Sequence, residues 1–357
     1  MIGESFKKKL GISGQTDQPQ VRRAGGANSV SDHASKILNR IGPIIGLVLV
    51  VVLFGSLKQN LFLTTYNAQL ILLQTAVVGI AALGMTMIII SGGIDLSVGS
   101  NIALSTVIIA KLLNLLTAHS NSPFAPVLAA LGGIVGGGVT GLAISLMVTK
   151  LKLSPFIVTL GLWGALRGVA QGVANNLEIY TNGNSWIDNL LNTLNHRYWW
   201  ENFPAGVWLF VVLSIAVSAM LKYTRFGRHI FAIGSNEQTA RLCGVPVDRT
   251  KMMIYALAGC FAGLAGVLQF GFLGGTGDPT TAVGMELNII AAVVIGGASL
   301  NGGQGSVLGT TVGAIIMTTI ANGCVKMGWD NWVQQIVTGA IIILAVAVDR
   351  LRHRTAN

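Results

Sequence analysis

Ten stretches of mostly apolar residues, each close to 20 long, recur along this 357-residue chain and leave room for few folds. They fall at about 41–57, 67–90, 97–118, 124–148, 154–174, 205–221, 252–273, 283–298, 305–323 and 331–348. About 20 residues of helix cross roughly 30 Å of hydrocarbon. Lipid offers no partner to a free peptide group, so segments of this length cross as helices. Only 10% of the residues are charged, against roughly 25% in a soluble domain. The sequence therefore predicts an all-α, polytopic transmembrane helical bundle of about ten spans.

Residues 1–40 are polar and basic, and predict a largely disordered tail with room for one short amphipathic helix. Residues 41–350 form the membrane domain and 351–357 a second tail. The run 41–57 has no cleavage-type sequence after it and reads as a retained span. With the amino end inside, 18 of the 23 Lys and Arg fall on the cytoplasmic side and three on the outer side. That bias places both termini and the segment 222–251 in the cytoplasm. The charges sit between apolar runs, which argues against nucleic acid as a partner. The outer loop 175–204 carries Trp186, Trp199 and Trp200, read as membrane-interface anchors or as a docking rim. Cys243, Cys260 and Cys324 show neither a disulfide pattern nor metal-ligand spacing and read as apolar filler.

The segment 222–251 contains one short helix with both ends marked. Ser235 followed by Gln238 predicts a capping box, and Gly244 with Pro246 a left-handed stop, giving a helix over 236–243. Such a helix is too short to persist alone. It is either a docking element for a cytoplasmic partner or a loop packed on its own chain.

Two stretches echo each other, Ile90–Ala110 and Ile295–Met317. Each runs from an apolar helix through Gly-Gly and a polar gap into a second helix dotted with Gly, Ser and Thr. The pattern predicts two related halves with two glycine-interrupted segments, pointing the same way. Gly92, Gly93, Gly296 and Gly297, with Ser97 and Ser299, are candidates for the lining or gate of a pathway. Asp95 is an ionisable group between two spans, either functional or a cap for the next helix. Arg167 lies about 20 Å into its span at 1.5 Å per residue, and heads a polar stripe through Gln171 and Asn175. It reads as snorkelling or paired with carbonyls, with a pore-facing role as the alternative.

No Gly-Lys pair occurs, so a phosphate-binding G-x-x-x-x-G-K-[ST] loop is absent. No cofactor is expected in this chain. Motifs for membrane proteases and esterases are missing as well, and few acids are available for a proton relay.

Four stretches, Leu83–Ser100, Ser154–Gly161, Thr224–Val245 and Ala291–Ala314, resemble in order the signature stretches of the ribose-type sugar permeases. These are membrane subunits of bacterial ABC importers. The resemblance covers nearly all of 41–350 and implies a bacterial inner-membrane protein embedded in lipid. It implies two copies of this chain, or one with a related permease, serving a sugar delivered by an extracytoplasmic binding protein. A separate ATPase would carry the ATP and Mg. The family's contact with that ATPase maps onto Gly227, Arg228, Ala232, Gly234, Asn236, Thr239, Ala240, Arg241 and Gly244. Thr239 stands where an alanine is usual, and Thr239, Ala240 and Cys243 are expected to form a small face toward the ATPase. The competing readings are an ion-coupled secondary transporter, and an importer permease for a nucleoside or autoinducer.

Overall fold

The computed structural model describes residues 28–119, 123–181, 186–187, 190 and 203–354. The chain divides into a short unit, residues 1–39, and a main unit, residues 40–357, to which all the apolar spans belong. The elements in order are α1 (Asn28–Leu57), α2 (Gln59–Phe62), α3 (Thr65–Ile90), α4 (Val98–His119), α5 (Ala125–Thr149), α6 (Pro155–Ala174) and β1 (Ile179–Tyr180). Then come α7 (Ala205–Tyr223), α8 (Arg225–Ser235), α9 (Glu237–Leu242), α10 (Val247–Phe272), β2 (Thr276–Gly277), α11 (Met285–Ile295), α12 (Val307–Lys326) and α13 (Asn331–Arg354).

Among the described residues seven helices, α3 to α7, α10 and α12, are long and apolar enough to cross a membrane, and three shorter apolar stretches lie at Gly42–Leu57, Met285–Ile295 and Trp332–Leu344. The polytopic all-α expectation therefore holds, with a two-residue antiparallel strand pair added, in which Ile179 faces Gly277 and Tyr180 faces Thr276. Helix begins at Asn28, within the tail that has room for one short helix, and residues 1–27 lie outside the described residues. Trp199 and Trp200 also lie outside them, and Trp186 is exposed. The cysteines correct the filler reading in one case: Cys324 is buried and Cys260 half-buried, but Cys243 is exposed.

α3 is the centre of the bundle. It is apolar on every face, as a helix surrounded by others must be, and it packs against α7, α10, α11 and α12. Two threonine pairs fix its register on α12: Thr75 with Thr318 at 2.6 Å and Thr86 with Thr310 at 2.8 Å. Hydroxyl pairs of this kind hold helices together where apolar burial against lipid gives no net drive.

The most extensive helix contact joins α5 and α10, and there the packing is backbone on backbone. A side chain on Gly137 would meet the Gly259 carbonyl and Gly263; one on Gly259 would meet the Gly137 carbonyl and Gly141. The glycine-rich run in α5 is thus spent on close approach, as small residues are in membrane helix pairs. The glycines of α6 differ. A methyl group added at Gly161, Gly164, Gly168 or Gly172 would have nothing within 4 Å, so the four form one open face.

Gly137→Ala is expected to lower the melting temperature of the detergent-solubilised protein, since overpacking costs about 1–3 kcal/mol. Gly168→Ala, which gains about 1 kcal/mol of helix propensity and meets nothing within a single copy, is expected to leave that of the monomer unchanged or raise it. Intrinsic tryptophan fluorescence on heating checks both.

Candidate functional site

Three of the signature stretches meet at one point, the carboxyl end of α3. The Ile90 carbonyl accepts the Gly303 amide at 2.8 Å. Gly234, near the end of α8, lies against both groups so closely that any side chain there would strike them, and a side chain on Gly302 would come within 3.1 Å of the Gly92 Cα. Residues 90–93, 234–235 and 302–303 therefore touch main chain to main chain.

The two glycine breaks share their helix stops. After α3, Gly92 and Gly93 donate to the Ile89 and Ile88 carbonyls; after α11, Gly297 and Ala298 donate to those of Val294 and Val293. Gly92 and Gly297 take φ of +79° and +89°, the left-handed stop that glycine favours. Each break then makes an i to i+2 side-chain turn. Asp95 Oδ1 accepts the Ser97 amide at 2.8 Å and its hydroxyl at 2.6 Å, and Ser299 Oγ accepts the Asn301 amide at 3.3 Å. Asp95 is thus not the cap expected for the next helix, since α4 starts three residues on at Val98. It braces the turn before it, and Ser299 performs the same task without a charge. Burial pushes the Asp95 carboxyl up from its ordinary range, while the Ser97 donors pull it down.

α8 and α9 correct the predicted capping. Ser235 closes α8 and donates its hydroxyl back to the Phe231 carbonyl at 2.9 Å; the cap of α9 is Asn236, whose Oδ1 accepts the Thr239 amide at 2.9 Å. The Gly244 stop is as expected, at φ +83°. Its amide and that of Val245 donate to the Arg241 and Ala240 carbonyls, which closes the helix fully. Ala240 does not face outward. It is buried with Ile233 and Val247 of its own chain, because that apolar contact seats a six-residue helix. Gly227 likewise packs inward, against Leu221. Ala232 is half-buried, whereas Arg228, Thr239 and Arg241 are exposed. Arg241 pairs with Asp248 at 3.0 Å and Glu237 at 3.5 Å, and Lys251 with Glu237 at 2.7 Å. Exposed pairs like these contribute up to about 1 kcal/mol each. Leu242 is left 89% exposed beside them.

A second polar cluster lies about 18 Å along α6, twelve residues from its start at 1.5 Å each. Arg167 Nη1 donates to the Pro279 and Thr281 carbonyls at 2.8 and 2.6 Å, the carbonyl pairing expected of it. Trp163 Nε1 donates to Glu286 Oε1 at 3.0 Å. Glu286 is buried in the first turn of α11, where the positive helix end favours an anion. Among the described residues its Oε2 and Arg167 Nη2 have no hydrogen-bond partner. Gln171, one turn beyond Arg167, contributes its carbonyl to the stop of α6. Sequence reasoning missed the pairing of Glu286 with Trp163, although an acid opening an apolar run was the available signal.

Next to this cluster, a cavity of about 270 Å³ opens between α3, α10, α11, α12 and α13. Gln74, Gln269, Asn288, Thr318 and Gln334 contribute its polar groups, and no charged residue lines it. The glycines of the two breaks do not line it.

The profile of a family described as "Branched-chain amino acid transport system / permease component" matches residues 67–346. The chain belongs to this permease family. A ribose import permease protein of Bacillus subtilis is 36% identical to the permease over 326 residues, covering 89% of this chain and 95% of the relative. One of Escherichia coli is 37% identical over 315 residues, 87% and 93% of the two chains. A fructose import permease protein of Rhizobium meliloti is 34% identical over 316 residues, 88% and 86%. No solved structure matches the permease.

Asn236→Ala is expected to destabilise α9 by about 1 kcal/mol and to speed amide exchange in 239–243 about fivefold. Ser235→Ala is expected to leave that exchange unchanged. Asp95→Asn keeps an acceptor for Ser97 and is expected to preserve the melting temperature. Asp95→Leu leaves buried donors unmet at about 1–3 kcal/mol and is expected to lower it.

Proposed function

We propose that the permease is the membrane subunit of an ATP-driven importer and that its solute is a simple sugar. The observation that carries this reading is identity of 36–37% along nearly the whole chain to proteins named for ribose import. The absence of a phosphate loop assigns ATP and Mg to a partner ATPase. The neutral amide lining of the cavity favours hydroxyl-bearing solutes over the amino acids in the family's description, whose two charges would need partners there.

In this reading the basic end, with α8 and α9, faces the cytoplasm. Counting α1, α11 and α13 with the seven longer helices gives ten crossings. A binding protein delivers sugar at the opposite end. The open glycine face of α6 suits a second copy of the permease, because small residues let helices approach closely. ATP-driven closure of the ATPase moves α8 and α9. The backbone junction at Ile90 and Gly303 carries that displacement into α3 and the α11–α12 pair, biasing a two-state equilibrium of access.

The exposed Leu242 and the buried Ala240 support a different side chain of α9 as the one turned to the ATPase. Leu242, not Ala240, is the available anchor, with Arg241 and Gln238 around it. Leu242→Asp is expected to reduce ATPase recovered on co-purification and solute-stimulated ATP hydrolysis at least fivefold, with membrane insertion unchanged. In vesicles, uptake should require the ATPase and ATP. Uptake by the permease alone under a pH or sodium gradient would overturn the importer reading in favour of a secondary transporter.

A further inference from the structure

The cavity beside α11 has features that the importer reading does not by itself require. Its volume, about 270 Å³, is near the lower end of small-molecule pockets, about 300–1,000 Å³. It lies within a single copy of the chain. Its walls come from the amino-terminal parts of α3 and α13 and the carboxyl-terminal parts of α10 and α12, the end of the bundle opposite α8 and α9.

The polar groups in it fall into two sets. Three are committed to the protein: Gln269 Nε2 donates to Thr281 Oγ1 at 2.9 Å, the Thr318 hydroxyl pairs with that of Thr75, and Gln334 Nε2 donates to the Trp329 carbonyl at 3.0 Å. Two are not. Among the described residues neither the Gln74 nor the Asn288 side-chain amide has a hydrogen-bond partner, and both line the cavity. Each offers a carbonyl and an NH₂, two acceptor sites and two donors. Phe272 and the methionines of the wall supply apolar surface for the carbon face of a ring.

Free primary amides with an apolar wall and no charge match a polyhydroxylated, uncharged ring. Every hydroxyl both donates and accepts, and an amide can answer in either sense. A lipid chain would leave both amides unmet in an apolar surround, an arrangement that buried polar groups avoid.

We propose that this cavity is a solute subsite within each copy of the permease, where Gln74 and Asn288 hydrogen-bond the hydroxyls of a monosaccharide. The assignment rests on the importer reading above. Asn288 stands one turn into α11, the helix whose far end runs into the 296–306 segment that meets Gly234 and Ile90. Occupancy of the subsite and the position of the coupling helices therefore act on the same short helix.

The test uses the full complex of permease, ATPase and binding protein in vesicles, with D-ribose, D-fructose and the singly deoxygenated D-riboses as probes. Asn288→Leu and Gln74→Leu are expected to cut transport at least tenfold, while the ATPase and the binding protein still co-purify with the permease. The specific readout is discrimination. The unmodified complex should prefer D-ribose to at least one deoxygenated analogue by tenfold or more, and Asn288→Leu should abolish that preference while Asn288→Gln restores part of it. Unaltered transport and discrimination in both leucine variants would overturn the subsite while leaving the importer reading intact. A co-purified lipid in the cavity that D-ribose does not displace would overturn it too. Failure of the unmodified complex to take up either sugar would overturn the sugar reading itself, and the subsite with it.

Discussion

The hydrogen bond from the Gly303 amide to the Ile90 carbonyl, with Gly234 pressed against both, is the contact on which the working parts depend. A carbonyl at a helix end has no intrahelical partner, and inside a membrane protein water cannot be relied upon to supply one. Here the missing partner comes from a break more than 200 residues away in sequence. A segment outside the spans then seals the joint, and it can approach only because Gly234 has no side chain. Satisfying one peptide group thereby ties the central helix, the second break and the end of α8 into a single joint.

Away from that joint, the same economy of side chains governs the bundle. α5 meets α10, and α11 meets α12, glycine against backbone: a methyl on Gly309 or Gly313 would strike the carbonyls of Gly296 or Ala292. Polar side chains in the interior are mostly satisfied by main-chain carbonyls, as Arg167 is by Pro279 and Thr281. Glu286 and Arg167 each retain one unmatched atom beside the entrance of α11. Arg167 holds the segment between α10 and α11 in place, Glu286 ties α11 to Trp163 of α6, and neither lines the cavity.

Much of this was legible in the sequence. Apolar runs of spanning length gave the helices, because only a helix satisfies its own backbone in lipid. Glycine followed by a polar gap gave the stops, since a left-handed residue ends a helix wherever it occurs. The Gly244 stop and the carbonyl-paired Arg167 were readable for the same local reasons. Ser235 misled because Asn236 beside it caps as well as serine does, and the run of α8 up to Ser235 decided between them. Ala240 misled because a small residue fits either an outside partner or its own chain, and only the placement of Ile233 and Val247 shows which. The convergence of 90–93, 234–235 and 302–303, the Trp163–Glu286 bond and the cavity amides depend on tertiary neighbours, on which spacing along the chain is silent.

The glycine contact between α11 and α12 constrains movement as well as packing. With the Ala292 and Gly296 carbonyls seated over Gly313 and Gly309, α11 has no room to roll about its own axis, since rolling would drive main chain into main chain. The two helices therefore form one stiff body, and the freedom that remains is tilting or sliding of the pair at the flanking segments 273–284 and 327–330. An eleven-residue helix that cannot turn acts as a pushrod: a displacement at one end arrives at the other with its direction preserved.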